Sequence, residues 1–165
     1  MIASSPKVKD KSVSTYLRQV RSVFNNYIQT LEVPVSKSGI ATNYAHGYHP
    51  TRQLTVGNSV YFGFIIPYSC AEIKEVTIRF IPTTTGTINY SVGIFYGGIG
   101  DDESLNTSSL SASAVAVTDD QNSEIEITSL FDSVDADDQV GVQLSLTGAT
   151  TTTDIQVMSL YVKYI

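Results

Sequence analysis

The sequence has few of the residues on which cross-linking, metal binding and membrane insertion depend. Its 165 residues include one cysteine, two histidines and no tryptophan. Cys70 has no partner for a disulfide within the chain, so we expect the core to hold without a covalent cross-link. No apolar run reaches the roughly 18 residues of a membrane span, and the first residues lack the apolar centre of a secretory signal. We therefore expect a protein made in a cytoplasm, with no membrane partner.

Charged residues are also scarce, at 16% of the chain against a usual value of about 25%. They are unevenly divided, because residues 1–52 carry a net charge of +5 and residues 53–165 a net charge of −11. The length suits one domain plus an appendage. We therefore predict an N-terminal anchoring or oligomerisation arm and connector over residues 1–58, and one domain over residues 59–165. The arm has no arginine cluster, so docking on an acidic protein surface is favoured over nucleic-acid binding.

An apolar seam runs along the N-terminal arm. Its residues are spaced four, three, four, three and four apart, which predicts an amphipathic helix over residues 13–31. Such a helix packs either on the chain's own domain or on other subunits, and its β-branched residues leave a strand open for part of the segment. The seam residues, assigned to oligomerisation or anchoring, are Val13, Leu17, Val20, Phe24, Tyr27 and Leu31.

The connector, residues 34–58, is rich in Gly, Pro and Tyr, and short strands are predicted at residues 33–35 and 53–56. His46 and His49 have a spacing that can bind a metal, but Gly47 and Pro50 favour a loop and no nearby Cys or carboxylate completes a site. We therefore predict no metal and no cofactor. Contact with a glycan or with another subunit is the predicted role of Tyr44, His46, Tyr48, His49, Tyr68 and Tyr96.

From residue 60 onward, apolar and polar residues alternate with the period of a β-strand. The clearest case is residues 139–146, where Val140, Val142 and Leu144 alternate with polar or small residues. About seven such segments, separated by turn signals, predict an all-β, antiparallel, jelly-roll-like β-sandwich behind a short helical or extended arm. The last segment changes phase, which predicts a β-bulge near Val157 or burial of both strand faces.

Acidic residues concentrate in the predicted turns, as in residues 100–104 and 132–138. Asp is favoured in turns because its side chain accepts hydrogen bonds from local backbone amides, and we favour that role over calcium binding. The sequence has no nucleophile elbow, zinc-protease motif, phosphate-binding loop or dinucleotide-binding motif. Its paired carboxylates lie in turn-like runs without an apolar pocket that would raise a pKa. We predict that the protein is not an enzyme.

Two blocks of the sequence, residues 61–104 and 137–165, resemble a β-sandwich domain of bacteriophage and other viral structural proteins, such as head fibres, tail fibres and capsid appendages. The likeness lies in the strand VTIRFIP, the acidic turn GDDE, the strand GVQLSL and the terminal LYVKY. It departs from the pattern at Tyr90, where a Trp is common.

The resemblance implies a virion component that is assembled in the host cytoplasm. It further implies a homotrimer whose N-terminal segment attaches to other virion structural proteins and whose sandwich is displayed outward. Two alternatives remain open: a carbohydrate-binding module that recognises a host surface glycan, and a cellular surface-layer or filament subunit.

Overall fold

The computed structural model describes residues 27–36, 43–46, 49–101, 106–150 and 154–165, with the backbone alone described at residues 43–46 and 49. The described residues form ten strands and one short 3-10 helix, Thr128–Phe131. The strands are β1 (Gln29–Pro34), β2 (Asn43–His46), β3 (His49–Leu54), β4 (Ser59–Ile65), β5 (Ile73–Pro82), β6 (Gly86–Gly97), β7 (Thr107–Val117), β8 (Ser123–Glu126), β9 (Gln139–Ala149) and β10 (Ile155–Tyr164). No helix within these ranges has the length and apolar character needed to cross a membrane.

The strands form two antiparallel sheets. The six-stranded sheet has the order β2-β3-β10-β5-β8, and β1 also pairs with β10. The four-stranded sheet has the order β4-β9-β6-β7. Strands β3 and β1 share one edge of β10, because β3 pairs with Ile155–Val157 and β1 with Ser159–Tyr164. This architecture confirms the predicted all-β, antiparallel sandwich.

The core lies between the two sheets and is built by the alternation that the sequence shows. Its fully buried members include Phe62, Ile78, Ile94, Leu144 and Leu160. Each buried aliphatic or aromatic side chain stabilises the fold by about 1.5–3 kcal/mol. One apolar cluster extends through both sheets, and Cys70 is a free thiol.

A β-bulge interrupts β10 at the point where the sequence changes phase. Val157 pairs with Phe80 and Ser159 pairs with Arg79, so Met158 is the extra residue. Ile155 and Val157 before the bulge and Leu160 after it are all 0% exposed, because the extra residue restores the inward direction of the later side chains. The predicted bulge is confirmed.

The six-stranded sheet begins further toward the N-terminus than residue 59, where we predicted the sandwich to start. Strands β1 and β3 cover the two short strands predicted in the connector, with shifted bounds. Residues 29–31 belong to β1, so here the predicted helix is wrong and the strand that the sequence left open for part of the segment is found. Pairing with β10 and burial of Val33 favour the strand over the local helical spacing.

Most of the predicted oligomerisation seam lies outside the described residues. Val13, Leu17, Val20 and Phe24 lie outside them, and the anchoring role of these four residues stays a prediction. The arm predicted over the first part of residues 1–58 also stays a prediction. Tyr27 is 65% exposed. Leu31 is half-buried and packs against the core of its own chain.

Candidate functional site

A groove of about 670 Å³ crosses the outer face of the six-stranded sheet. We call it the sheet groove. Its lining comes from strands β1, β3, β5, β8 and β10 and from the residue before β8. The lining residues are Glu32, Pro34, Pro50, Arg79, Asn122, Glu124, Met158, Ser159 and Tyr161. The site therefore depends on residues that are far apart in the sequence and are joined by strand pairing.

Strand register places the polar side chains of the groove in two neighbouring rows. In one row Glu32 pairs with Tyr161 across β1 and β10. In the other row Ser159 pairs with Arg79, and Arg79 pairs with Glu124. Side chains at alternate strand positions point to the same face, so the apolar neighbours of these residues enter the core while the polar ones reach the groove.

Tyr161 is the aromatic residue of the sheet groove, and its ring is held from two directions. Its hydroxyl donates a hydrogen bond to Oε1 of Glu32 at 2.8 Å. The guanidinium carbon of Arg79 lies 4.1 Å from the centre of the Tyr161 ring, a cation–π contact. The ring is therefore pre-positioned with one face covered by Arg79, and a ligand packing on the other face would lose little side-chain entropy.

Arg79 links Tyr161 to the carboxylate on the far side of the groove. Its Nε donates to Oε1 of Glu124 at 2.7 Å. This hydrogen bond raises the pKa of Arg79, so the guanidinium stays charged at any working pH. The groove thus offers one fixed cation between two carboxylates, Glu32 and Glu124, with the Asn122 amide beside them.

The bulge in β10 contributes to the shape of the groove. Without an extra residue, strict alternation could not direct both Val157 and Leu160 to the core. Met158 and Ser159 instead lie together on the groove side. Ser159 is 4% exposed and forms part of the floor.

The structure does not bring the six predicted contact residues together. Tyr44, His46 and His49 lie on the β2–β3 hairpin, where His46 pairs with His49, and Tyr48 is outside the described residues. The hairpin borders the sheet groove, because Pro50 follows His49 and lines it. Tyr68 and Tyr96 lie elsewhere.

Tyr68 is 85% exposed on the turn after β4. Tyr96 is on β6 of the other sheet, and its half-buried side chain packs against the core. The roles that we predicted for these six residues stay predictions.

Two of the acidic turn residues bind their own backbone. Oδ2 of Asp101 accepts a hydrogen bond from the amide of Gly98 at 3.0 Å, and Oδ2 of Asp138 accepts one from the amide of Asp135 at 2.9 Å. These are the local contacts that favour Asp in turns. Among the side chains that the structure describes, no three His, Cys, Asp or Glu residues are grouped so as to hold a metal ion.

Sequence reasoning missed the sheet groove. The alternation in β5 predicts that Arg79 lies on the face opposite the core. Tyr161 belongs to the last segment, in which the alternation changes phase. The missing information was strand order: Glu32 and Tyr161 are 129 residues apart in the sequence, and their hydrogen bond exists because β1 pairs with β10.

Comparison with known proteins finds no matching family model and no matching curated protein. Several solved structures are similar in part. They include a carbohydrate-binding module CBM36 in complex with calcium and xylotriose, with 16% identity and a TM-score of 0.45 over 82% of this chain and 98% of that chain. The xylan-binding module CBM15 has 17% identity and a TM-score of 0.46 over 84% of this chain and 97% of that chain.

A third similar structure is a CBM61 module in complex with β-1,4-galactotriose, with 13% identity and a TM-score of 0.38 over 86% of this chain and 90% of that chain. Likenesses of this size concern the sandwich fold, and they carry no functional argument. The jelly-roll-like fold that the viral resemblance implied is supported, and the viral origin stays a prediction.

Proposed function

We propose that this protein is a carbohydrate-binding module and that the sheet groove binds the glycan. The observation that carries the proposal is the Tyr161 ring, fixed by Glu32 and Arg79 inside a groove on a rigid sheet. A sugar ring presents C–H groups that pack on an aromatic face and hydroxyls that need hydrogen-bond partners. Binding sites generally combine a concave surface with a few fixed polar groups, as this groove does.

The polar groups of the groove suit a chain of sugar hydroxyls. The carboxylates of Glu32 and Glu124 accept hydrogen bonds, and the amide of Asn122 both donates and accepts them. Arg79 has five N–H donors, of which Nε is used by Glu124. The volume of about 670 Å³ lies within the roughly 300–1,000 Å³ of known ligand sites. These features fit a short oligosaccharide segment.

The same geometry favours binding without catalysis. Glu32 lies on β1 and Glu124 on β8, three strand spacings apart in the order β1, β10, β5, β8. Glycosidases need one carboxyl group that gives a proton to the leaving group and a second that attacks the sugar or activates water. Each carboxylate is also hydrogen-bonded to a groove side chain.

Titration by NMR with xylotriose and with β-1,4-galactotriose tests this proposal. We expect amide shifts at the groove residues of β5, β8 and β10 and none on the outer face of the four-stranded sheet. Tyr161→Ala should lower the affinity about tenfold, since a stacked aromatic contributes about 0.5–1.5 kcal/mol and about 1.4 kcal/mol is a factor of ten. Tyr68→Ala removes an exposed ring outside the groove and should leave the affinity unchanged.

A broad glycan array completes the test, because the two trisaccharides sample only part of sugar chemistry. Absence of binding to every glycan on the array would overturn the proposal. Binding that Tyr68→Ala abolishes and Tyr161→Ala leaves intact would overturn the assignment to the sheet groove and favour the contact surface predicted from the sequence.

The virion role implied by the viral resemblance stays a prediction, as do the homotrimer, assembly in a host cytoplasm and the surface-layer alternative. The glycan-binding proposal is compatible with display on a particle, where the sheet groove would bind a host surface glycan. Copurification of the chain with intact particles would test that location.

A further inference from the structure

The outer face of the four-stranded sheet carries exposed apolar side chains and no charge. We call the outward residues of β4, β9 and β6 the neutral face. Strand register arranges nine of them in three rows, which read Tyr61–Gln143–Gly93, Gly63–Gly141–Phe95 and Ile65–Gln139–Gly97 from β4 through β9 to β6. The three large side chains are exposed: Tyr61 by 41%, Phe95 by 47% and Ile65 by 60%. Exposed apolar residues grouped in this way mark an interaction surface.

The glycines of the neutral face have no explanation within the chain. A Cβ atom on Gly63, Gly93 or Gly141 would meet no atom within 4 Å, and none of the three has the positive φ that favours glycine. Glycine inside a strand is destabilising, because it adds backbone entropy to the unfolded chain and packs no side chain. Such glycines often mark a place where a ligand or another backbone approaches closely.

We propose that the neutral face binds the neutral face of a second copy of this chain, about a two-fold axis that runs along β9. This rotation exchanges β4 and β6 and keeps each row in place. It sets Tyr61 opposite Gly93 of the second copy, Phe95 opposite Gly63, and Ile65 opposite Gly97. In all three rows a large side chain therefore faces a glycine. Each of these contacts occurs twice, once from each copy, as an isologous interface requires.

The depression at Gly97 supports the third of these pairings. A pocket of about 280 Å³ lies at this end of the face, and its lining within one copy consists of Ile65, Gly97, Gly98, Ile99, Asp137 and Gln139. Ile65 of the second copy would lie over this pocket. Gly141 lies on the axis and would face its own counterpart.

The distribution of charge on the chain favours a second copy as the partner that binds the neutral face. The chain carries a net charge of −6, so two copies repel each other through most of their surfaces. The nine residues of the three rows include no Asp, Glu, Lys or Arg. The three rows can therefore meet without like charges in contact, and Asp137, which lines the pocket, lies beyond the third row.

The small area of the neutral face predicts that the dimer is weak. Three strands at about 4.8 Å spacing and about 23 Å length cover roughly 330 Å² per copy. Stable interfaces bury about 800 Å² per partner, and smaller ones are transient. We expect self-association that is weak at micromolar concentration and that sedimentation equilibrium detects at concentrations up to about 0.5 mM.

A charged residue on the axis tests the proposal directly. Gly141→Glu places two carboxylates face to face and should weaken the dimer at least about tenfold. Ser109→Glu is the matched control, because Ser109 follows Gly93 in the same row on β7, outside the overlap of the two copies. It should dimerise as the wild-type chain does.

Mixing opposite charges gives a readout that a change in folding would not produce. Gln143→Glu and Gln143→Lys should each weaken the dimer alone and should form a heterodimer when mixed, because residue 143 also lies on the axis and faces residue 143. A variant-free measurement runs in parallel: the amide shifts of Gly63, Gly93 and Gly141 should move with concentration in the wild-type chain, while those of the sheet groove should not.

Three outcomes would overturn the proposal. A wild-type chain that stays monomeric at about 0.5 mM has no such dimer at a relevant strength. Equal weakening by Ser109→Glu and Gly141→Glu would exclude the axis along β9. Shifts on the neutral face caused by xylotriose and not by concentration would make a glycan its occupant. None of these results bears on glycan binding by the sheet groove, which lies on the other sheet.

Discussion

The Nδ2 atom of Asn89 lies 2.9 Å from the position that a Cβ atom on Gly148 would occupy. The two residues are paired across β6 and β9. Oδ1 of Asn89 accepts a hydrogen bond of 2.7 Å from the amide of Ala114, which has a φ of 55°. Gly148 therefore provides the space in which Asn89 supports an irregular point of the neighbouring strand β7.

Gly148→Ala should destabilise the protein by about 1–2 kcal/mol, because the new methyl group would displace Asn89 from its hydrogen bond with Ala114. Urea unfolding, followed by circular dichroism, measures the change. Gly141→Ala is the control in the same strand, where a Cβ atom meets nothing within 4 Å, and it should be neutral or slightly stabilising. Equal losses at the two positions would show that space at Gly148 is not the cause.

Thr51→Val should destabilise the protein by about 1–3 kcal/mol, because it leaves the side-chain oxygen of Gln156 without its buried hydrogen-bond donor. The Thr51 hydroxyl donates to Oε1 of Gln156 at 2.8 Å, and both residues are 4% exposed. Adding Gln156→Leu should recover part of that loss, since the double variant leaves no unpaired oxygen at this point. Additive losses in the double-mutant cycle would contradict this coupling.

Stability should fall as the pH rises above about 10, in part because of Tyr90. Burial raises the pKa of Tyr90 above its ordinary value of 10.0. The unfolded chain therefore loses this proton at lower pH than the folded chain, so the free energy of unfolding decreases through this range. The urea concentration at the unfolding midpoint should fall between about pH 8 and about pH 10.5. This fall should be smaller in Tyr90→Phe than in the wild-type chain. Tyr68→Phe, at an exposed position, should retain the wild-type difference.

Deletion of Met158 should destabilise the protein by more than about 3 kcal/mol, because loss of the bulge residue shifts the alternation of one part of β10 by one position. Ile155 and Val157, both 0% exposed, would then face outward and Gln156 inward. Met158→Ala keeps the bulge and should cost about 1 kcal/mol. Urea unfolding of both variants compares them. A deletion no more harmful than the alanine variant would show that the bulge can move along the strand.

Alternation alone was enough to predict most of the sandwich. Residues 139–146 and 155–164 have apolar faces whose burial agrees with the pattern, and the change of phase at Val157 located a bulge. These features are local, because the period of a strand depends on neighbouring residues in the sequence. The strand over residues 107–117 has a weaker signal, since most of its side chains are Ser, Thr or Ala and are small.

Pairing between distant strands was beyond the sequence pattern. Gln29–Leu31 has helical spacing, but contacts with β10 hold it as a strand. The sheet groove was missed for the same reason, because Tyr161, Arg79 and Glu124 become neighbours through the order β10, β5, β8. Register cannot be read from one sequence when several strands share the same alternation.

Strand β10 pairs with β1, β3 and β5 and thus occupies the middle of the six-stranded sheet. During synthesis on the ribosome these three partners emerge well before the strand that joins them. β3 can pair with β2 and β5 with β8 beforehand, but the edges of β1, β3 and β5 that bind β10 stay open until residues 155–164 have left the exit tunnel. Long-range pairing of this kind slows folding, and completion of this sheet therefore waits for β10 to be made.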